Sequence, residues 1–179
     1  MSASLSEISS ILPPSQWVVR HAARIPEGGE VLDLACGSGR HARYLAGQGR
    51  SVVAVDRDAA AIAGLQGLTG IRAGQLDLEG DAWPLAGQCF SGIVVTNYLW
   101  RARLPDLLAM LAPGGVLIYE TFMLGNEAYG KPSNPAFLLR PGELRDVVRA
   151  AGLHEIDFVE GYVDSPKPAV RQAICAIRD

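Results

Sequence analysis

The chain has 179 residues, enough for one compact domain with a real core and too few for two large ones. Its apolar fraction of 49%, charged fraction of 20% and net charge of −3 are those of an ordinary globular protein, and they leave no electrostatic footprint for nucleic acid. Three widely separated cysteines, Cys36, Cys89 and Cys175, have no metal-type spacing and argue against a disulfide framework, so a reducing cytoplasm fits.

Met1 to Glu7 lacks the basic start and apolar stretch of a leader peptide, and no apolar run is long enough to span a bilayer. Gln16 to Arg20 reads as part of an N-terminal helix, with residues 1–28 forming a helical cover over the site. Val31 to Ala35 is a short strand ending at Gly37. Gly39 to Ala46 is a helix with Ala42, Leu45 and Ala46 on one face. Ser51 to Val55 is a second strand, and Asp58 N-caps a helix through Leu65. Ile71 to Gln75 and Gly92 to Thr96 are the next strands. Leu104 to Leu111 is a helix that tolerates Pro105 in its first turn and stops at Pro113-Gly114-Gly115. Val116 to Thr121 is again a strand.

Strand and helix alternating in this way predict a parallel α/β sheet covered on both faces. Residues 122–140 break the pattern with Gly, Asn, Pro and aromatics. So long a loop inside a compact domain reads as a substrate-side lid packed down by its aromatics. Pro141 opens a helix to about Ala151, and His154–Val159 and Val170–Ile177 are two more strands. The reading is of one domain over 1–179.

The first strand, glycine turn and helix form a ligand-binding unit in open α/β sheets. Gly37 and Gly39 let a ligand approach the backbone, and the helix start offers free N–H groups. Gly37-Ser38-Gly39-Arg40-His41-Ala42 also fits a dinucleotide loop, with Asp56 about 20 residues on. Asp33 separates the two readings. A carboxylate beside the loop repels a pyrophosphate and welcomes a sulfonium donor with its cationic amino group. It can also hydrogen-bond the loop backbone, and the two roles coexist. An NAD(P)-dependent oxidoreductase and a non-catalytic donor-binding subunit stand as alternatives to a methyl-transferring enzyme.

Val31-Leu32-Asp33-Leu34-Ala35-Cys36-Gly37-Ser38-Gly39-Arg40 resembles motif I of the class I S-adenosylmethionine-dependent methyltransferases. Val53-Ala54-Val55-Asp56-Arg57 resembles the acidic-loop motif that comes next in that family. Asp77-Leu78 sits at the adenine-binding acid, and Leu111 to Leu117 is similar to the turn before strand five. Gly39-Arg40 and Arg140 to Leu144 are similar to the tellurite-resistance-type subfamily. The resemblance implies a Rossmann-like, doubly wound seven-stranded sheet, mostly parallel with an antiparallel last strand and helices on both faces.

It also implies the cofactor, S-adenosyl-L-methionine, and site roles. Asp33 binds the donor's amino group, while Ala35, Cys36, Gly37 and Gly39 admit its methionine part. Asp56 takes the ribose hydroxyls, and Arg57 lies over the adenine edge. Asp77 and the Leu78 amide read the adenine. Thr96, Asn97 and Tyr98 face the methyl group, and Arg20 or Arg40 meets the donor's carboxylate.

Methyl transfer needs alignment and dryness more than a strong acid or base, and no catalytic signature stands out. Tyr98, Tyr119, Glu120 and Tyr129 are candidates to reach an acceptor. His21, His41 and His154 read as structural. Trp100, Phe122, Tyr129 and Phe137 could line an apolar pocket on the substrate side, with Arg40, Arg101 and Arg140 available for an anionic group. The segment Thr96-Asn97-Tyr98-Leu99-Trp100 lacks the prolines of amino-group methylases. No metal is expected, and the acceptor reads as a small molecule or chalcogen compound. The oligomeric state does not follow from the sequence.

Overall fold

A computed structural model describes residues 11–179. Met1 to Glu7, on which the lack of a leader was read, and the start of the expected N-terminal cover lie outside the described residues. Seven strands form one sheet in the order β3-β2-β1-β4-β5-β7-β6. They are β1 (Glu30–Leu34), β2 (Ser51–Asp56), β3 (Ile71–Gln75), β4 (Phe90–Thr96), β5 (Leu111–Phe122), β6 (His154–Val163) and β7 (Ala169–Ile177). Strands β1 to β5 pair in parallel. Strand β7 runs antiparallel to both β5 and β6, so the expected antiparallel last strand is present.

Central strands are apolar on both faces because helices cover both. On one face Leu32, Leu34, Val53, Val55, Leu117 and Tyr119 meet Leu104, Leu107 and Leu108 of α4 (Leu104–Ala109) and Leu144 and Val148 of α5 (Glu143–Ala150). Residues one register step away, Val31, Val52, Ala54, Val94 and Ile118, form the other face. They pack with Trp17 and Val18 of α1 (Gln16–His21), Ala42 and Leu45 of α2 (Arg40–Gly47), and Ile62 of α3 (Ala59–Ala63). Asp58 N-caps α3 as expected, its Oδ1 accepting from Ala60 and Ala61 N–H.

Several boundaries differ from the sequence reading, and some of the shifts have a plain cause. Helix α4 ends at Ala109, and Leu111 already pairs with Phe90 in the sheet. Pro113-Gly114-Gly115 therefore interrupts β5 instead of stopping a helix, and it is sewn to the C-terminal segment by Gly114 N–H to Arg178 O and Arg178 N–H to Gly115 O. Helix α3 stops at Ala63, two residues short of Leu65. Strand β6 continues through Gly161 to Val163 because β7 offers partners along that whole length.

The segment 122–140 is held down by polar anchors, not by its aromatics: Tyr129 is 51% and Phe137 41% exposed. Asn126 is buried, its Nδ2 donating to Pro132 O and its Oδ1 accepting from Val170 N–H. Arg101 clamps the same segment. Its guanidinium donates to both carboxylate oxygens of Glu143 and to the carbonyls of Ala136 and Leu138. Burial raises the pKa of Glu143, but hydrogen bonds from Arg101 and the Arg140 N–H more than offset it and hold the carboxyl below its usual range.

Arg101→Ala removes the two-point partner of the Glu143 carboxylate, only 5% exposed, and leaves it the Arg140 N–H and the exposed Arg140 guanidinium. It is expected to cost about 1.5–3 kcal/mol in urea unfolding and to open 122–140 to proteolysis. Unaltered stability would show that the clamp is ornamental.

Candidate functional site

The sheet's order reverses between β1 and β4, and the crevice beyond their carboxyl ends opens there. A cavity of about 230 Å³ lies in it. Ala35, Asp56, Arg57, Asn97 and Tyr98 line it from the ends of β1, β2 and β4, and Leu76 to Glu79 line it from the turn after β3. Ala35 and Asn97 both have left-handed backbones, with φ of 52° and 55°. Such conformations in residues with a Cβ concentrate at functional sites. Nothing in the sequence marks Ala35 for one.

Asp33 sits behind the loop and not in the cavity. It is 1% exposed, and its Oδ2 accepts from Ala42 N–H at 2.9 Å. The N-cap residue of α2 is Gly39, which has no side chain to cap with, so the strand carboxylate does that work from nine residues away. Burial pushes the pKa of Asp33 up to about 7, against the opposing Ala42 bond and the Arg40 charge. Asp56 does reach the cavity. Its Oδ2 accepts from Gly37 N–H at 2.8 Å and its Oδ1 from Asp58 N–H at 2.9 Å. Each oxygen keeps a second lone pair.

The two glycines divide their work. Gly37 has a φ of 53°, and a Cβ on it would meet nothing within 4 Å, so its open side faces space a ligand can use. A Cβ on Gly39 would strike the Leu65 side chain at 2.5 Å. Gly39 therefore serves packing between α2 and the chain after α3, not ligand entry as expected. Cys36 is buried, its N–H bonds Val55 O, and burial pushes its thiol well up.

At the turn after β3, Asp77 Oδ1 accepts from Glu79 N–H, and Arg57 lies 3.9 Å from Glu79. The Tyr98 hydroxyl has no partner among the described residues, and burial followed by the Glu79 and Asp77 charges pushes its pKa up to about 12. Thr96 turns away from the cavity: its Oγ1 lies 3.4 Å from His41 Nδ1. His41 Nε2 accepts from Ser15 N–H, which ties the segment before α1 to α2. Burial pushes the His41 pKa down to about 3, so the ring is neutral.

Other expected residues lie elsewhere. Arg20 is exposed and 3.8 Å from Asp157 on β6, remote from the glycine loop. Tyr119 is buried and donates to Tyr98 O, which leaves it no route to an acceptor. Tyr129 packs on Tyr162, with ring centroids 5.2 Å apart. Trp100 lines a narrow cleft with Trp83, Tyr98 and Arg103, so it forms no common pocket with Phe122, Tyr129 and Phe137. Arg101 is consumed by the clamp, and Arg140 is exposed beside Glu143. Arg40 donates to Pro13 O, and its charge is felt at Arg171.

The sequence reading missed Arg171 on β7. Its Nη2 donates to Asn97 Oδ1, its Nη1 is 3.7 Å from Glu120, and its guanidinium stacks 4.2 Å over the Phe122 ring. Residues 171 and 97 are joined only through the sheet, so no spacing rule could have paired them. Among the described residues no cluster of His, Cys, Asp and Glu could hold a metal ion, and no helix is long and apolar enough to cross a membrane.

Residues 31–115 match the model of a family described as a methyltransferase domain. No curated protein matches the chain. Among solved structures, TehB from Haemophilus influenzae is similar at 21% identity and a TM-score of 0.73, over 90% of this chain and 61% of that one. The chain thus spans less than two thirds of that protein's length. A TehB-like SAM-dependent methyltransferase from Corynebacterium glutamicum has 21% identity and a TM-score of 0.67, over 98% and 92%. The glycopeptide N-methyltransferase MtfA, solved with sinefungin, has 18% identity and a TM-score of 0.65, over 95% and 88%. The fold is that of the S-adenosylmethionine-dependent methyltransferases, TehB-like ones included.

Asp33 keeps its proton to about pH 7 in the fold, against 3.8 for an ordinary aspartate. The folded state therefore binds more protons across that window, and the stability from this group falls as pH rises through it. Asp33→Asn keeps an acceptor for Ala42 N–H and removes the ionisation. It should gain on wild type as pH rises from about 4 to about 7, by up to ~4 kcal/mol. Urea unfolding at about pH 5 and about pH 8 checks this, and an equal difference at both values counts against it.

Proposed function

We propose that the protein is an S-adenosylmethionine-dependent methyltransferase acting on a small-molecule or chalcogen acceptor. The observation that carries the reading is the cavity at the ends of β1, β2 and β4. It holds Asp56 and Asp77 on successive strand ends, with Asp33 buried behind the loop. This row of acids suits a cationic donor and opposes a pyrophosphate. When bound, the donor supplies an electrophilic methyl group on its sulfonium sulfur.

The chain's own part is to bind, orient and exclude water. Asp56, already oriented by Gly37 and Asp58 N–H, takes the ribose hydroxyls on its remaining lone pairs. Asp77 accepts the adenine amine and the Leu78 amide donates to a ring nitrogen, with Arg57 over the edge. The open side of Gly37 takes the methionine part. Asp33 acts through α2, by accepting the Ala42 N–H, and not by contact with the donor. Asn97 and Tyr98 form the rim nearest the methyl group. Residues 11–28 cover the loop side, 122–140 wall the acceptor side, and the whole chain works as one domain. A reducing cytoplasm suits its unpaired thiols.

Calorimetry with S-adenosylhomocysteine tests the reading: no binding at millimolar ligand would sink it. Asp56→Ala is expected to weaken that binding by ~1.5–3 kcal/mol.

A further inference from the structure

Arg101 and Arg171 are both partly buried arginines, but their donors are used differently. Arg101 spends its guanidinium on four hydrogen bonds inside the protein. Arg171 makes one, from Nη2 to the neutral amide of Asn97. Its nearest carboxylate, Glu120, stays 3.7 Å from Nη1, a charge contact without a short hydrogen bond. None of its nitrogens is both buried and unpartnered, so the unused donors keep contact with solvent beside Asn97.

The side chain is only 19% exposed, and Phe122 fixes the guanidinium plane from beneath. Burial and the nearby Arg40 charge both press its pKa down, against Glu120, so the cation is under-compensated where it stands. Its position is as telling. Asn97 lines the donor cavity and receives Arg171 as well. Arg171 is therefore one residue beyond the place where Asn97 and Tyr98 meet the methyl group.

We infer that Arg171, with Arg40 adding its charge and Asn97 and Phe122 fixing its plane, recognises an anionic group on the methyl acceptor, a carboxylate or inorganic oxyanion. A guanidinium held flat with donors to spare matches such a group in two-point fashion. A cationic acceptor gains nothing over the arginine, and a neutral one leaves its spare donors without a charged partner. This rests on the methyltransferase reading, because it takes Asn97 as the boundary between donor and acceptor.

The test titrates three probes into the protein saturated with S-adenosylhomocysteine: benzoate, its neutral isostere benzamide, and sulfite. Benzoate or sulfite is expected to bind, whichever of the two sources fits the space, with benzamide weaker by roughly tenfold or more. Arg171→Gln should erase that preference and Arg171→Lys should keep part of it, with S-adenosylhomocysteine affinity in both changed less than about threefold. Arg40→Gln, which leaves β7 untouched, should weaken the anion independently if Arg171→Gln does not fold by thermal melting.

Equal binding of benzoate and benzamide, no binding of either anion, or loss of S-adenosylhomocysteine binding in Arg171→Gln overturns the inference; the last would assign Arg171 to the donor. If the wild type binds no S-adenosylhomocysteine, the methyltransferase reading fails. The same titration of the unliganded protein then still decides whether Arg171 is an anion site.

Discussion

A single hydrogen bond from Ala42 N–H to the buried Asp33 carboxylate sets the geometry of the site. It joins the middle of β1 to the first turn of α2 across a loop that carries no capping side chain of its own. The chain between them is thus closed to a fixed length, and Gly37 and Gly39 supply the positive φ that closure demands. Asp56 completes the frame by holding Gly37 N–H from β2. Two acids on neighbouring strands, one buried and one at the rim, make a rigid cradle out of a glycine turn.

The alternation of strands and helices and the carboxyl-end placement of Asp56 and Asp77 were legible because they depend on local signals. Apolar strands, turn residues and βαβ spacing fix them before any tertiary contact forms. The misreadings share a cause. Leu111 has the look of a helix end, but its burial against β4 decides for the sheet. Gly39 looked like ligand space because the chain passing behind it, Leu65, lies 26 residues away. Arg20 and Arg171 exchanged importance because partners for a long side chain come from other elements, and only the fold shows that Asp157 claims the first and Asn97 the second.

The electrostatics obey the same division. The anions of the cavity sit on the β1–β3 side, where Asp56, Asp77 and Glu79 gather. The cations Arg40 and Arg171 stand on the other side of Asn97. Burial keeps His41 neutral between them, so it can accept from Ser15 without adding charge. Asn97, with its left-handed backbone, stands between the acids of the cavity wall and the Arg171 guanidinium.

The last strand in sequence is not the last in space: β7 slots between β5 and β6. This has a consequence for biogenesis. As the chain emerges from the ribosome, β1 to β5 can assemble, but β5 must wait with one edge unpaired until residue 169 and beyond arrive. That edge carries Leu117, Ile118 and Tyr119, an apolar template for any passing strand. The β6–β7 hairpin, joined by the short connection after Val163, forms locally and docks as a unit, so the closing step of folding is one insertion. Premature termination within the final ten residues would therefore lead to aggregation, not to a slightly shorter folded protein.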